Sequence, residues 1–391
     1  MNATLVIEHR FRRDREGKIY ASSNSVNTLL WDRYLEIFDH LTVFARIKEV
    51  NEIISEEYLV SHDKVTFQPI PYYVGPKQFI KQYFKINKII EAQVVNNHAY
   101  ICRLPSILGA ILIKKLKKNR IPYVVELVGD PWEVFAPGSL KNSLAFIHRY
   151  RSYLSLKKNV KTASGVVYVT EKKLQQRYPA GKESIAVHAS NVVLKKEAIA
   201  KEPKRYPHKI NHLKMLSIGS LEQLYKSPDV VLKALELLKK QGVNFKLTWL
   251  GDGIHKKEMQ DLAESLEIAE YVEFKGNVIA DEVLKELNQA DLYIHVSRTE
   301  GLPRAIIEAM AQGLPSIGTR VGGIPELLGE ELLINKNDVN ALVERILYAL
   351  NHPEFMERMG KINLNKAKEY EYSILAQRRN RVYNHLKKLV E

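Results

Sequence analysis

The stretch Ser297–Leu328 reads SRTEGLPRAIIEAMAQGLPSIGTRVGGIPELL, and the organisation of the chain's second half follows from it. Just before it, Asp291–Val296 (DLYIHV) has the β-branched and aromatic content of a buried strand. A loop with Gly301 and Pro303 follows, then a helix that stops at Gly313 ahead of Pro315. Proline early in a helix and glycine just past its end are the expected punctuation. The loop therefore brings a helix N-terminus and free backbone N–H groups to the end of a strand, an arrangement that suits a phosphate or other anion.

Glu300 and Glu308 bracket this loop and helix. Glu300 sits in the mouth, and Glu308 lies about two turns into the helix near the same face. Two carboxylates so spaced can accept from hydroxyl groups at two ends of an extended ligand. The plainer alternative is a solvated helix face with a first-turn Glu favoured by the dipole. The small apolar residues after Glu308 (AMAQG) argue against it, because they read as a buried helix in which an unpaired carboxylate is costly.

Working outward, short β-branched runs alternate with amphipathic stretches, the signature of parallel βαβ units. Strands are expected at Thr4–Ile7, Leu41–Ala45, Val94–Val95 with its flanks, Tyr123–Val128 and Gly165–Val169, with helices at Asn27–Phe38 and Ile107–Lys118. Residues 197–212 are polar, contain two prolines and lack periodicity, so they read as a linker. A second βα series fills the rest. The reading is an α/β chain with two Rossmann-like doubly wound domains facing across a cleft: residues 1–196, then the linker, then 213–372. A basic helix over 373–391 either packs back across the junction or stands in solvent. Open α/β sheets bind ligands at the C-terminal ends of their strands.

Together with these features, Glu300-Gly-Leu-Pro, Glu308-Ala-Met-Ala-x-Gly-x-Pro and Gly322-Gly-x-x-Glu326 resemble the signature of the family-four, retaining, GT-B glycosyltransferases (glycosyl transferases group 1). Gly219-Ser-Leu with Lys226, Leu250-Gly-Asp-Gly253 and Phe274-Lys-Gly-Asn-Val278 resemble three further loops of that family's donor domain. The likeness is specific over 213–345 and loose before it. It implies that Lys226 pairs with a nucleotide-sugar pyrophosphate, that Glu308 accepts from ribose hydroxyls, and that Glu300 contacts the transferred sugar. Backbone of Gly301, Leu302 and Pro303 would reach the sugar or phosphate, Lys275 and Val278 would line the base pocket, and Gly251 and Gly253 would allow close approach. Polysaccharide or lipopolysaccharide biosynthesis is the implied setting.

There are departures. Where the family usually has an arginine beside the first glycine stands Ser220, so either Arg298 or Arg304 supplies that charge, or Lys226 and the helix N-terminus suffice. The Gly-rich loop after the first strand is replaced by EHRFRRDREGKIY (residues 8–20). Where relatives carry a histidine, the loop reads Val128-Gly-Asp-Pro-Trp-Glu133; Asp130 either fills that catalytic place or caps a helix at Pro131. On the acceptor side, Arg103 faces the same cleft or belongs to an ordinary loop.

Lys and Arg number 59 against 45 Asp and Glu, a net charge of +14. Residues 101–200 hold 18 basic and 6 acidic residues, so nearly all of the excess lies in the expected acceptor domain. Leu144–Leu156 reads as a basic amphipathic segment of the kind that docks on anionic leaflets, with a solvated face as the alternative. One cysteine, Cys102, excludes an internal disulfide. No signal peptide and no spanning helix is expected, which predicts a cytoplasmic protein on the inner face of the membrane. No D-x-D and no H-E-x-x-H occurs, so neither an essential metal nor another cofactor is expected. The expected partners are a nucleotide sugar, with UDP or GDP as carrier, and an oligosaccharide or lipid-linked acceptor. A sugar-nucleotide epimerase or phosphorylase is the nearer alternative. A nucleic-acid-binding protein is the distant one, and no nucleic acid is expected as partner.

Overall fold

A computed structural model describes all residues except 23–25, 53 and 135–144, together with the side chain of Ala145. The expected basic segment therefore begins, at Leu144, outside the described residues.

The first half alternates strands β1 (Asn2–Arg13), β2 (Ile19–Ala21), β3 (His40–Glu49), β4 (Val65–Ile70), β5 (Ala99–Leu104), β6 (Val124–Leu127), β7 (Gly165–Tyr168) and β8 (Ile185–His188). With them come helices α1 (Leu29–Leu35), α2 (Gly75–Ala92), α3 (Ile107–Lys118), α4 (Pro131–Val134), α5 (Ala145–Lys161) and α6 (Lys173–Arg177). The strands pair in parallel in the order β4-β3-β1-β5-β6-β7-β8, and β2 adds antiparallel to β1. The second half carries β9 (Leu213–Ile218), β10 (Phe245–Leu250), β11 (Val272–Gly276), β12 (Leu292–His295), β13 (Ser316–Thr319) and β14 (Leu333–Ile334). These also pair in parallel, in the order β11-β10-β9-β12-β13-β14. Their helices are α7 (Pro228–Lys240), α8 (Lys256–Ser265), α9 (Ala280–Gln289), α10 (Arg304–Ala311), α11 (Val339–Asn351), α12 (Pro353–Ala367) and α13 (Tyr372–Val390). The central strands are buried on both faces and hence nearly all apolar, as Val124–Val125 and Leu292–Ile294 show.

One expected strand is absent. Val94–Val95 follows α2 in a turn, because the Tyr100 hydroxyl takes up the backbone of Val95 (2.8 Å from its N–H) and of Gln93 (3.1 Å to its carbonyl) in place of a ladder. The strand begins instead at Ala99. Strands β4 and β8 and helices α2 and α12 had no counterpart in the sequence reading. β4 carries Pro69 and lies on the sheet edge, where a missing N–H is tolerated.

The last helix changes the topology. After α12 packs beside α10, α13 crosses to the first sheet and covers β7 and β8. Its contact is close: a methyl group on Gly165 would lie 2.6 Å from Val382. At its centre the buried Glu126 of β6 accepts from the hydroxyls of Tyr34 (2.9 Å) and Tyr383, and Arg103 approaches to 3.5 Å. Burial pushes the Glu126 carboxyl up, but Arg103 and Arg33 outweigh it and hold it below the usual range. Removing the Tyr383 hydroxyl takes a hydrogen bond from a buried anion, so Tyr383→Phe is expected to lower unfolding free energy by about 1–3 kcal/mol in urea titrations.

Candidate functional site

The loops at the C-terminal ends of the two sheets meet. A methyl group on Gly301, after β12, would lie 2.9 Å from the carbonyl oxygen of Val128, after β6. Gly322, at φ +53°, has the left-handed backbone that glycine adopts without penalty, and its α-carbon packs where a methyl group would meet the Glu300 carbonyl at 2.1 Å.

Glu300 stands at the centre. Three groups converge on its Oε1: Lys226 Nζ at 2.5 Å, Ser297 Oγ at 2.8 Å and His295 Nε2 at 2.9 Å. Its Oε2 accepts nothing from the described residues. Burial pushes this carboxyl up, but the Lys226 ammonium and His295 hold it well below the usual carboxylate range. His295 is itself buried, and burial with the neighbouring Lys226 pulls its imidazole down, so it is neutral. The network is satisfied when Nε2–H donates to Glu300 and Nδ1 accepts from the Tyr293 hydroxyl at 3.0 Å. Tyr293 and His295 are the residues sequence reading missed. Their alternation in β12 puts both on one face beside Glu300, but an apolar strand motif carries no sign of that.

The Lys226 turn is held to the Glu300 loop by Arg298. Its guanidinium grips Asp229 (2.7 and 3.1 Å) and the Leu224 carbonyl (2.5 Å), while the Arg298 backbone N–H donates to the Tyr225 carbonyl (2.7 Å). 

That backbone bond and the guanidinium together tie the residues after β12 to the turn before α7. Arg298 is thereby committed to Asp229, whereas Arg304, on the first turn of α10, is exposed. Glu308, one turn further along α10, is half-buried and accepts no hydrogen bond from any described residue. Burial holds its carboxyl above the usual range, with Arg304 pulling the other way. Pro303 caps α10 and Leu302 packs against the cores of both domains.

The remaining loops complete the edge. A methyl group on Gly219 would crowd the Lys226 side chain at 2.9 Å. Ser220 Oγ bonds locally, to the Asp252 carbonyl at 3.3 Å. Gly251 and Gly253, at φ +135° and +156°, interlock with Gly219–Glu222: a methyl group on either would meet that backbone at 2.1 Å. Lys275 pairs with Glu286 at 2.6 Å, and Val278 packs, partly buried, on the core beside it.

Across the cleft, Asp130 is buried and engaged on both oxygens, by Tyr178 (2.7 Å), the Trp132 N–H (3.0 Å) and Arg177. It caps α4 and organises that loop, the structural alternative of the sequence reading. Arg103 is likewise turned to Glu126. The bridge between domains is made by Glu326, for which the sequence suggested no task. Its carboxylate accepts from the backbone N–H groups of Glu171 (2.5 Å), Lys172 (3.1 Å) and Lys173 (2.5 Å) in the first domain. Among the described residues, no three His, Cys, Asp or Glu side chains cluster to hold a metal ion.

Two outcomes are expected. The raised pKa of Glu308 gives stability that is fully present below its unfolded-state value and is lost as pH rises through the folded-state value. Glu308→Gln should therefore raise the thermal midpoint of the ligand-free protein at about pH 7 and leave it unchanged near pH 4. Glu326→Ala removes three charge-assisted bonds between domains, and small-angle scattering should show an enlarged radius of gyration.

The model of the family "Glycosyl transferases group 1" matches residues 199–366. Protein CapJ of Staphylococcus aureus is 31% identical over 366 residues, covering 92% of this chain and 90% of that protein. The colanic acid biosynthesis glycosyltransferase WcaL of Escherichia coli, named as putative, is 34% identical over 143 residues, 34% of this chain and 35% of its own length. Among solved structures, sucrose-phosphate synthase from Thermosynechococcus elongatus superposes with a TM-score of 0.74 at 14% identity, covering 99% of both chains. Anabaena HepE, solved with UDP and glucose, gives 0.68 at 14% identity over 98% of this chain and 99% of its own. The two facing parallel sheets are the GT-B fold, and the chain belongs to the group 1 glycosyltransferases.

Proposed function

We propose that the protein transfers a sugar, with retention of anomeric configuration, from a UDP- or GDP-sugar to an oligosaccharide or lipid-linked acceptor in cell-surface polysaccharide synthesis. The observation that carries this reading is the contrast between the two glutamates. Glu300 is held charged with one oxygen left over, and Glu308 is held in the cleft wall with no hydrogen-bond partner among the described residues. An unpartnered, partly buried carboxylate is costly unless a ligand supplies the missing hydrogen bonds. The ribose hydroxyls of a nucleotide would do so at Glu308, and a sugar hydroxyl at Oε2 of Glu300.

Lys226 then exchanges Glu300 for the diphosphate, and with the N-terminus of α10 it stabilises the charge that develops on the leaving group. Gly301, Leu302 and Pro303 bring backbone to the sugar or phosphate, while Gly219, Ser220 and Gly251 bound the phosphate side. Arg304, exposed and with no ion pair among the described residues, is the cation for the second charge, since Arg298 holds the Lys226 turn in place. The base lies by Lys275 and Val278. The acceptor hydroxyl attacks the anomeric carbon on the face from which the diphosphate departs, that carbon–oxygen bond breaks, and the hydroxyl proton passes to a phosphate oxygen. This assignment leaves no step that requires a metal. The likeness to WcaL, named for colanic acid biosynthesis, supports the polysaccharide setting, and HepE with UDP and glucose supports a nucleotide sugar. The basic first domain supports an anionic membrane surface as the place of reaction, on the cytoplasmic side. No helix among the described residues is long and apolar enough to cross a membrane.

Lys226→Ala is expected to lower turnover by about 10²–10³-fold, and Glu308→Ala to weaken nucleotide binding roughly tenfold. Both are measured by transfer assays and by a thermal-shift series with UDP, GDP, ADP and their sugars, with and without EDTA. Wild-type transfer by both variants would remove this reading, and loss of transfer in EDTA would remove its metal independence.

A further inference from the structure

Two helices of the first domain leave the body of the protein uncovered. In α2 none of the first eleven residues, 75–85, is buried, and Ile86 is the first that is. In α5 none of residues 146–155 is buried, and Leu156 is the first. Helices at a protein surface ordinarily turn their apolar stripe inward and their polar residues to water. These halves present large apolar side chains instead: Phe84 is 84% exposed, Ile80 69% and Phe146 73%, with Val74, Tyr150 and Leu154 about half exposed. The presentation is built in. Tyr73, Phe79, Tyr83 and Phe84 form a ladder of ring contacts at 5.3, 5.8 and 5.6 Å along α2, and the Arg149 guanidinium stacks 3.9 Å over the Trp132 ring beneath α5.

The two uncovered halves lie at one end of the domain. α3 packs between α2 and α5 and exposes Ile107 at its own N-terminus. Crossover helices of a parallel sheet run against the strands, so all three N-termini lie at the C-terminal edge of the sheet, where the cleft opens. Cations interleave with the apolar residues: Lys77, Lys81, Lys85 and Lys88 on α2 are exposed, as is Arg151 on α5. A patch that is both apolar and strongly positive repels a second copy of itself and complements an anionic interface.

We propose that the uncovered halves of α2 and α5 form one insertion surface for an anionic lipid bilayer. Ile80, Phe84 and Phe146 enter the boundary between headgroups and acyl chains, and the flanking lysines meet the lipid phosphates. The inference rests on the membrane reading above and adds α2, one of the elements with no counterpart in the sequence reading. It also sets the cleft mouth at the bilayer surface, where a lipid-linked acceptor presents its sugar.

Vesicle flotation of the full chain tests it, with phosphatidylcholine alone and with equimolar phosphatidylcholine and phosphatidylglycerol. The wild type should float with the anionic vesicles only. Ile80→Ser/Phe84→Ser should weaken that partition by roughly tenfold for each anchor lost, with its thermal midpoint and nucleotide-induced shift unchanged. Anionic binding by the wild type that the double variant retains in full would overturn the insertion surface and leave the membrane reading standing. Failure of the wild type to bind either vesicle would overturn both. A wild-type dimer in sedimentation velocity that the double variant turns into monomer would overturn the lipid assignment in favour of self-association.

Discussion

A single carboxylate buried in the first sheet governs how the two halves of this chain are joined. Glu126 is almost wholly removed from water and needs hydrogen bonds from its neighbours. Tyr34 and Arg103 come from the first domain, but Tyr383 comes from the last helix of the chain. Breaking such a buried charged cluster by removing one partner costs far more than the cluster contributes net. The first domain therefore completes its core only when the polypeptide has finished the second and returned. Two passes of the chain then connect the domains, and the loops that face each other across the cleft are kept in register.

The electrostatics of the site are set within the second domain. Lys226, Ser297 and Glu300 belong to loops of one sheet, and each loop is fixed by backbone bonds to its neighbour. Within this frame two glutamates eight positions apart receive opposite treatment. Glu300 faces an ammonium and an imidazole and stays ionised, while burial, against the pull of Arg304, pushes Glu308 towards protonation. Environments that separate the behaviour of two like groups are a mark of functional sites. The closure itself depends on a third glutamate, Glu326, whose partners are backbone N–H groups of the other domain.

The charge of +14 is also resolved by position. Three basic residues of the cleft are paired with acids and add nothing to it: Lys226 with Glu300, Arg298 with Asp229, Arg177 with Asp130. The lysines of α2 and many of the basic residues of α3 and α5 remain on one helical layer, beside apolar side chains that the fold leaves bare.

Much of this was legible in the amino-acid sequence because it is local. Parallel strands buried on both faces read as apolar runs, Pro303 and Gly313 mark the ends of α10, and the spacing of Glu300 and Glu308 follows from helical geometry. Residues whose meaning depends on a distant partner were not legible. Asp130 looked equally like a cap and a catalytic group until Arg177 and Tyr178 claimed both its oxygens, and Arg298 looked free until Asp229 bound it. His295 and Tyr293 gave no signal within their strand, and Glu326 meets residues some 155 positions earlier in the chain. Local propensity and periodicity are properties of a few consecutive residues, so the sequence by itself determined the sheet edge at which Glu300 and Glu308 stand and most of the elements, though not β4, β8, α2 and α12. Burial and charge pairing join residues far apart in the chain, so only the tertiary structure decided which carboxylates are paired within the fold, which keep an unpaired oxygen among the described residues, and which faces remain uncovered.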